Sequence, residues 1–197
     1  MFHDIPRAIL DRMKYMEDLS ARQKREGMDG FARLRQIPPE TGRFIAMMCA
    51  AAPGRKCIEI GTSGGYSGMW LSLACRATGK TLVTFEVSDA KVEIATETFR
   101  KAGVEDVVEI VPGDAREHLG RYRDVGFCFL DAEKEVYEEC FELVLPNLIP
   151  GGILVADNVI SHEQVLKPWV DRTLEDERVD ALVVPVGSGE LVLRKRT

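Results

Sequence analysis

The stretch Cys57-Ile58-Glu59-Ile60-Gly61-Thr62-Ser63-Gly64-Gly65-Tyr66-Ser67 decides the fold. Its first four residues are a short apolar run of strand character, five glycine-rich residues make a turn, and helical spacing begins at Tyr66 and continues to residue 77. The alternation repeats downstream. Residues 81–86 read as a second strand and 89–101 as a helix capped by Ser88 or Asp89. A third strand over 107–111 closes on Pro112-Gly113-Asp114. A fourth over 125–130 ends at Asp131 and feeds a helix over 135–148; a fifth over 153–156 stops at Asp157-Asn158. Strands and helices alternating through short connections predict an α/β, doubly wound, mostly parallel sheet with helices on both faces. The tail differs: the β runs 181–186 and 190–194 are joined only by Gly187-Ser188-Gly189, too short for a parallel crossover, so they form an antiparallel hairpin.

Upstream of the turn, residues 1–30 read as an N-terminal helical extension. Ile9, Met13, Met16 and Leu19 recur at helical spacing among charged residues, and Gly27 and Gly30 close the segment. Such a stripe is packing, in the core or at a subunit interface, rather than a cofactor box. A further helix over 41–51 follows Pro38-Pro39-Glu40 and ends at Pro53-Gly54. Nothing marks a repeat or a second domain, so residues 1–197 read as one domain.

Composition narrows the partners. The 197 residues carry 26 Lys+Arg against 32 Asp+Glu, a net charge of −6, which disfavours a nucleic-acid role resting on counterion release. No run approaches the ~18 apolar residues of a membrane span, and the start lacks the basic-then-apolar order of a secretory signal. The expectation is a cytoplasmic protein with a small-molecule partner. Cys49, Cys57, Cys75, Cys128 and Cys140 are an odd number without a CxxC pair, and read as buried hydrophobes in a reducing compartment rather than as disulfides or metal ligands. His3, His118 and His162 lack zinc-site spacing.

In a doubly wound sheet, ligands bind outside the carboxyl ends of the strands. Here those ends carry Glu59, Glu86, Asp114, Asp131 and Asp157-Asn158. Any one loop acid is ordinarily decorative; the shared placement favours a site. The glycines of the turn stand at positions one, four and five, not in the GxGxxG order that brings a pyrophosphate onto a helix N-terminus. With Glu59 before it and Tyr66-Ser67 after it, the turn suits a zwitterion, offering amide and hydroxyl donors to a carboxylate and an acid to an ammonium. Glu86 stands where an acid takes the two hydroxyls of a ribose, and Asp114 can accept from the exocyclic amine of adenine. Adenosine, ribose and amino-acid partners together spell S-adenosylmethionine.

If the fourth and fifth strands are neighbours, their ends lie about 5 Å apart. Asp131, Asp157 and the Asn158 side-chain oxygen then converge as three hard ligands, suited to Mg²⁺, with Mn²⁺ or Ca²⁺ as alternatives, and leave room for two adjacent substrate oxygens. The bland alternative for Asp157-Asn158 is an Asx turn. Lys134, three residues past Asp131, is by itself a solvated charge; beside a cation and a sulfonium it becomes a candidate base for a coordinated hydroxyl. His162 is a candidate group on the same rim.

The segments Glu59-Ile60-Gly61-Thr62-Ser63-Gly64-Gly65-Tyr66-Ser67, Gly113-Asp114-Ala115, Leu130-Asp131-Ala132-Glu133-Lys134 and Gly151-Gly152-Ile153-Leu154-Val155-Ala156-Asp157-Asn158-Val159 resemble the cation-dependent class I O-methyltransferases, among them catechol and caffeoyl-CoA O-methyltransferases. The resemblance runs over about residues 35–197. It implies a seven-stranded sheet in the order 3-2-1-4-5-7-6 with one antiparallel strand. It further implies cofactor contacts at Ile37, Glu59, Gly61, Ser63, Ser67, Glu86, Ala115 and Asp131, to which the turn and the third strand end add Thr62 and Asp114, metal ligands at Asp131, Asp157 and Asn158, a general base at Lys134, and a homodimer through N-terminal helices. Ala132 replaces the larger residue of the animal catechol enzymes, which brings the prokaryotic branch nearer. Glu133 stands where an aspartate is frequent, and the segment between Asn158 and Asp180 is shorter than in typical members. The implied activity is methyl transfer from S-adenosylmethionine to a metal-chelated hydroxyl of a small phenolic acceptor. The alternatives are a nicotinamide-dependent oxidoreductase of similar topology, disfavoured by the glycine spacing, and a non-catalytic S-adenosylmethionine-binding protein.

Overall fold

A computed structural model describes residues 1–28 and 33–197. Gly30, expected to help close the first helix, lies outside the described residues. The elements run α1 (Arg7–Arg25), α2 (Pro39–Ala51), β1 (Lys56–Ile60), α3 (Tyr66–Thr78), β2 (Thr81–Glu86), α4 (Asp89–Ala102), β3 (Val108–Pro112), α5 (Ala115–His118), β4 (Val125–Leu130), α6 (Tyr137–Val144), β5 (Leu148–Ala156), α7 (Glu163–Leu174), β6 (Val179–Val184) and β7 (Glu190–Lys195). They build one seven-stranded sheet in the order β3-β2-β1-β4-β5-β7-β6. Strands β1 to β5 pair in parallel, and β7 runs antiparallel to both β5 and β6. The expected strand order and the expected hairpin are both present.

Central β4, Val-Gly-Phe-Cys-Phe-Leu, is buried along its whole length, as a parallel strand covered on both faces requires. Its side chains alternate between two cores. Phe127 and Phe129 join Ile9, Met16, Ile45, Met69 and Phe99 on one face, whereas Cys128 and Leu130 join Phe85, Tyr137, Phe141, Leu154 and Trp169 on the other. Met13 and Met16 lie in the first of these cores, and α1 is further tied to α4 by the Arg12 guanidinium donating to Thr98 Oγ1 at 2.8 Å. Of the two readings of the methionine stripe, the core is correct. The homodimer expectation therefore draws no support from these residues.

Three segments depart from expectation. The helix expected over 135–148 is a 3₁₀ turn over Lys134–Val136, the short α6, and a second 3₁₀ turn over Leu145–Asn147 in which Pro146 ends the helical hydrogen bonding. Strand β5 begins at Leu148, five residues before the expected start, because Pro150-Gly151-Gly152 hid its strand character. Helix α7 was not anticipated. Leu166, Trp169, Val170 and Thr173 are buried at helical spacing there, but Pro168 sits inside the helix and disguises the pattern. No helix among the described residues is long and apolar enough to cross a membrane.

Candidate active site

The carboxyl ends of β1, β2, β4 and β5 open on a cavity of about 570 Å³. Its walls include Ile37, Gly61, Ser63, Glu86, Asp114, Ala115, Asp131, Lys134, Asp157, Asn158 and His162. The chain can turn so tightly at its floor because residue 61 is glycine. Its φ is +105°, and a Cβ there would sit 2.1 Å from the carbonyl oxygen of Asp131. The turn thus brings the ends of β1 and β4 together, with the Asp131 amide donating to Ile60 O at 2.9 Å.

Glu86, at the end of β2, is buried and held from two sides. Ser63 N donates to Oε2 at 2.7 Å and Ser88 N to Oε1 at 3.0 Å. Two fixed amides orient the carboxylate while leaving lone pairs for a ligand's hydroxyls. Asp114 caps α5, accepting from Arg116 N at 2.9 Å, and both of its oxygens also receive the Arg116 guanidinium. Arg116 holds this carboxyl below its ordinary range. An acceptor role toward an exocyclic amine is therefore one that Asp114 shares with an existing ion pair.

Two of the residues expected to touch the cofactor, Thr62 and Glu59, stand outside the wall of the larger cavity, behind the turn. Thr62 Oγ1 lies 2.5 Å from Thr84 Oγ1, which in turn donates to Glu59 Oε2 at 2.6 Å. Glu59 is fully buried and lines neither the cavity nor the narrow cleft beside it that Thr62, Ser67 and Tyr66 border. Its Oε1 has no hydrogen-bond partner, and burial pushes its carboxyl up to about 7 against the pull of the Ser67 and Thr84 hydroxyls.

The second constellation is brought together by neighbouring β4 and β5. Asp131 Oδ1 accepts from Asn158 Nδ2 at 2.9 Å and from Lys134 Nζ at 3.2 Å. Asn158 adopts a left-handed φ of 70° directly after the strand, and its amide donates to Asp157 Oδ1 at 2.6 Å. Asp157 is buried, and burial together with the negative charge of Asp131 pushes its carboxyl up to about 6. A carboxyl raised by burial and by the charge of its neighbour Asp131, with the Lys134 ammonium and the neutral Asn158 amide already donating to Asp131, fits a cation; a flip of the Asn158 side-chain amide would add a third oxygen. Lys134 Nζ also donates to Ala132 O at 2.8 Å and Tyr137 Oη at 2.9 Å, so all three of its protons are engaged. Arg35 pairs with Glu133 at the mouth.

Sequence reasoning missed two members. Tyr137 is buried, and its hydroxyl links Lys134 to Asp157 O at 3.1 Å. Glu190 is buried beside Asp157; Thr41 Oγ1 donates to its Oε1 at 3.3 Å, and Oε2 has no hydrogen-bond partner. Burial, and after it the Asp157 charge, pushes Glu190 up to about 9. The signal was available: an acid opening the otherwise apolar run Glu190-Leu191-Val192-Leu193, on the strand whose Leu191 pairs with Ala156.

Sheet order and acid-rimmed cavity together define a Rossmann-like methyltransferase fold. Residues 10–196 match the family model described as O-methyltransferase, and the chain belongs to that family. A catechol O-methyltransferase of Niastella koreensis is 28% identical over 171 residues, covering 84% of this chain and 77% of that one. A catechol O-methyltransferase of Mycobacterium tuberculosis is 32% identical over 132 residues, 66% of this chain and 60% of its own. An O-methyltransferase from Bacillus cereus, solved in complex with SAH, superposes with a TM-score of 0.80 over 94% of this chain and 91% of that one, at 24% identity. Membership sets aside the nicotinamide oxidoreductase alternative.

Proposed function

We propose that this chain transfers a methyl group from S-adenosylmethionine to a hydroxyl of a small phenolic acceptor carrying vicinal hydroxyls, with a divalent cation, Mg²⁺ in the first place, at Asp131, Asp157 and Asn158. The observation that carries the reading is Asp131 Oδ1, on which Lys134 Nζ and Asn158 Nδ2 converge at the wall of the cavity that also holds Glu86. The catechol O-methyltransferase names of two relatives and the SAH bound to the Bacillus cereus neighbour support it.

In this reading Glu86 takes the ribose hydroxyls, Ala115 and Asp114 flank the adenine, and Ile37, Gly61, Ser63 and Ser67 surround the methionine end. Thr62 and Glu59 brace the turn from behind. A cation held by Asp131, Asp157 and Asn158 supplies Lewis-acid polarisation of the acceptor oxygens. Lys134 takes up the hydroxyl proton at Nζ, and Asp131 Oδ1, Ala132 O and Tyr137 Oη accept from the ammonium so formed. His162, with Nδ1 3.0 Å from Ser161 Oγ, borders the acceptor side.

The test is a methyl-transfer screen over catechol-type acceptors with each divalent cation in turn. Turnover that EDTA abolishes, and that Asp157→Ala does not recover with added Mg²⁺, is the expected result. EDTA-resistant turnover sinks the metal assignment, and transfer only to monohydroxylated acceptors sinks the vicinal one.

A further inference from the structure

At the foot of β1, on the opposite end from the cavity, three cysteines that are far apart in sequence meet. Cys49 comes from the last turn of α2, Cys57 from β1 and Cys75 from α3, and their Sγ atoms all lie within 4.8 Å of one another. All three are buried, and Cys49 Sγ and Cys57 Sγ are 3.4 Å apart. An ion ~2.3 Å from each of three sulfurs, the usual metal–thiolate distance, sits at the centre of a triangle with sides of about 4 Å. One observed side is 3.4 Å and none exceeds 4.8 Å, a range that contains this value. Cys128 and Cys140 are equally buried but belong to the core on the other face of the sheet, so burial of cysteine alone does not produce the cluster.

A counter-charge stands beside it. Lys80, buried just ahead of β2, donates from Nζ to the carbonyl oxygens of Cys49 at 2.6 Å, Ala52 at 2.5 Å and Ala50 at 3.3 Å. These bonds fix the ammonium at the C-terminus of α2, where a positive charge also suits the helix dipole.

We propose that Cys49, Cys57 and Cys75 form a three-sulfur site for a soft monovalent cation, Cu(I). The donor set selects the ion. Thiolates prefer soft metals, whereas structural zinc takes four ligands, and no fourth His, Cys, Asp or Glu joins the three among the described residues. Two thiolates, one retained thiol, a monovalent ion and the Lys80 ammonium sum to zero charge, which an apolar core tolerates. The site is roughly 13 Å along β1 from Gly61, at ~3.3 Å per residue, and does not depend on the methyl-transfer reading.

The experiment is an anaerobic equilibrium competition between the reduced full-length protein and the Cu(I) chelator bathocuproine disulfonate. The expected result is one Cu(I) withdrawn per chain, with ultraviolet thiolate-to-Cu(I) absorption and a raised thermal midpoint. Cys57→Ala and Cys75→Ala, checked for folding by circular dichroism, should each bind at least 100-fold more weakly, and Cys128→Ala should bind as the parent does. No withdrawal by the parent protein, or equal withdrawal by a folded Cys57→Ala, overturns the site. Zn²⁺ held more tightly than Cu(I) overturns the choice of ion.

Discussion

The two ends of the sheet treat buried charge in opposite ways. At the amino end, the buried charge of Lys80 is met by backbone carbonyls. At the carboxyl end, Glu59, Glu86, Asp157 and Glu190 are all buried, and Glu59 Oε1 and Glu190 Oε2 lack a hydrogen-bond partner. Burying a carboxylate without compensation is costly, and three of these four carboxyls respond by rising to about 7, 6 and 9. One end of the fold is closed; the other holds negative charge in reserve for something positive. That difference separates scaffold from site in a chain whose hydrophobic pattern is much the same at both ends.

The largest break in this contrast comes from Lys134, the cation that the carboxyl end already sets against Asp131. Lys134→Ala should lower turnover on a catechol-type acceptor by about 100- to 10,000-fold, the range for loss of a positioned acid–base group. S-adenosylmethionine affinity measured calorimetrically should change little. An unaltered turnover number removes Lys134 from the chemistry.

Next comes the turn that joins the two strands of the site. Gly61→Ala places a methyl group 2.1 Å from Asp131 O in a left-handed backbone. It should cost about 2–4 kcal/mol in chemical denaturation, and a midpoint equal to the parent's would refute the close approach. This turn was also the most legible part of the molecule. Glycine at 61 followed by a helical pattern announced a parallel α/β sheet, and the hairpin after Val184 announced the one reversed strand. The acids at the strand ends were visible because chain order places them there. Tyr137 was not, since a buried tyrosine acquires its role only when α6 brings its hydroxyl between Lys134 and Asp157 O; Glu190 left only the trace of an acid opening an apolar strand, which gains meaning when β7 packs beside β5. The Cys49, Cys57 and Cys75 convergence was invisible for the same reason: it is made by three elements, and no spacing records it.

The amino end gives a smaller effect. Lys80→Met removes the donor from the carbonyls of Cys49, Ala50 and Ala52 and should cost about 2 kcal/mol, the desolvation of buried acceptors left unmade. Urea titration reads it directly. A loss under a few tenths of a kcal/mol would mean that water replaces the ammonium there and that the amino end is not closed.

The smallest effect sharpens the contrast through pH. Asp157, Glu59 and Glu190 are all raised in the folded protein, so the native state holds protons that the unfolded chain has released above about pH 4.5. Stability of the protein without added cation should therefore be greatest in acid and fall as pH rises through about 6, 7 and 9 in turn. Glu190→Gln keeps a side chain able to donate toward Asp157 but cannot ionise, so it should remove the upper part of that fall. The expected gain over the parent grows with pH and amounts to about 1 kcal/mol between pH 6 and pH 8, discounted for the coupling between Glu190 and Asp157. Cation binding should have the opposite slope, because it requires Asp157 as a carboxylate and strengthens through about pH 6. Thermal midpoints at pH 6 and pH 8, with and without Mg²⁺, distinguish the two trends. If the acids of the carboxyl end are held for a cation, Mg²⁺ should raise the midpoint more at pH 8 than at pH 6; a rise equal at both pH values would mean that their raised carboxyls have no part in holding it.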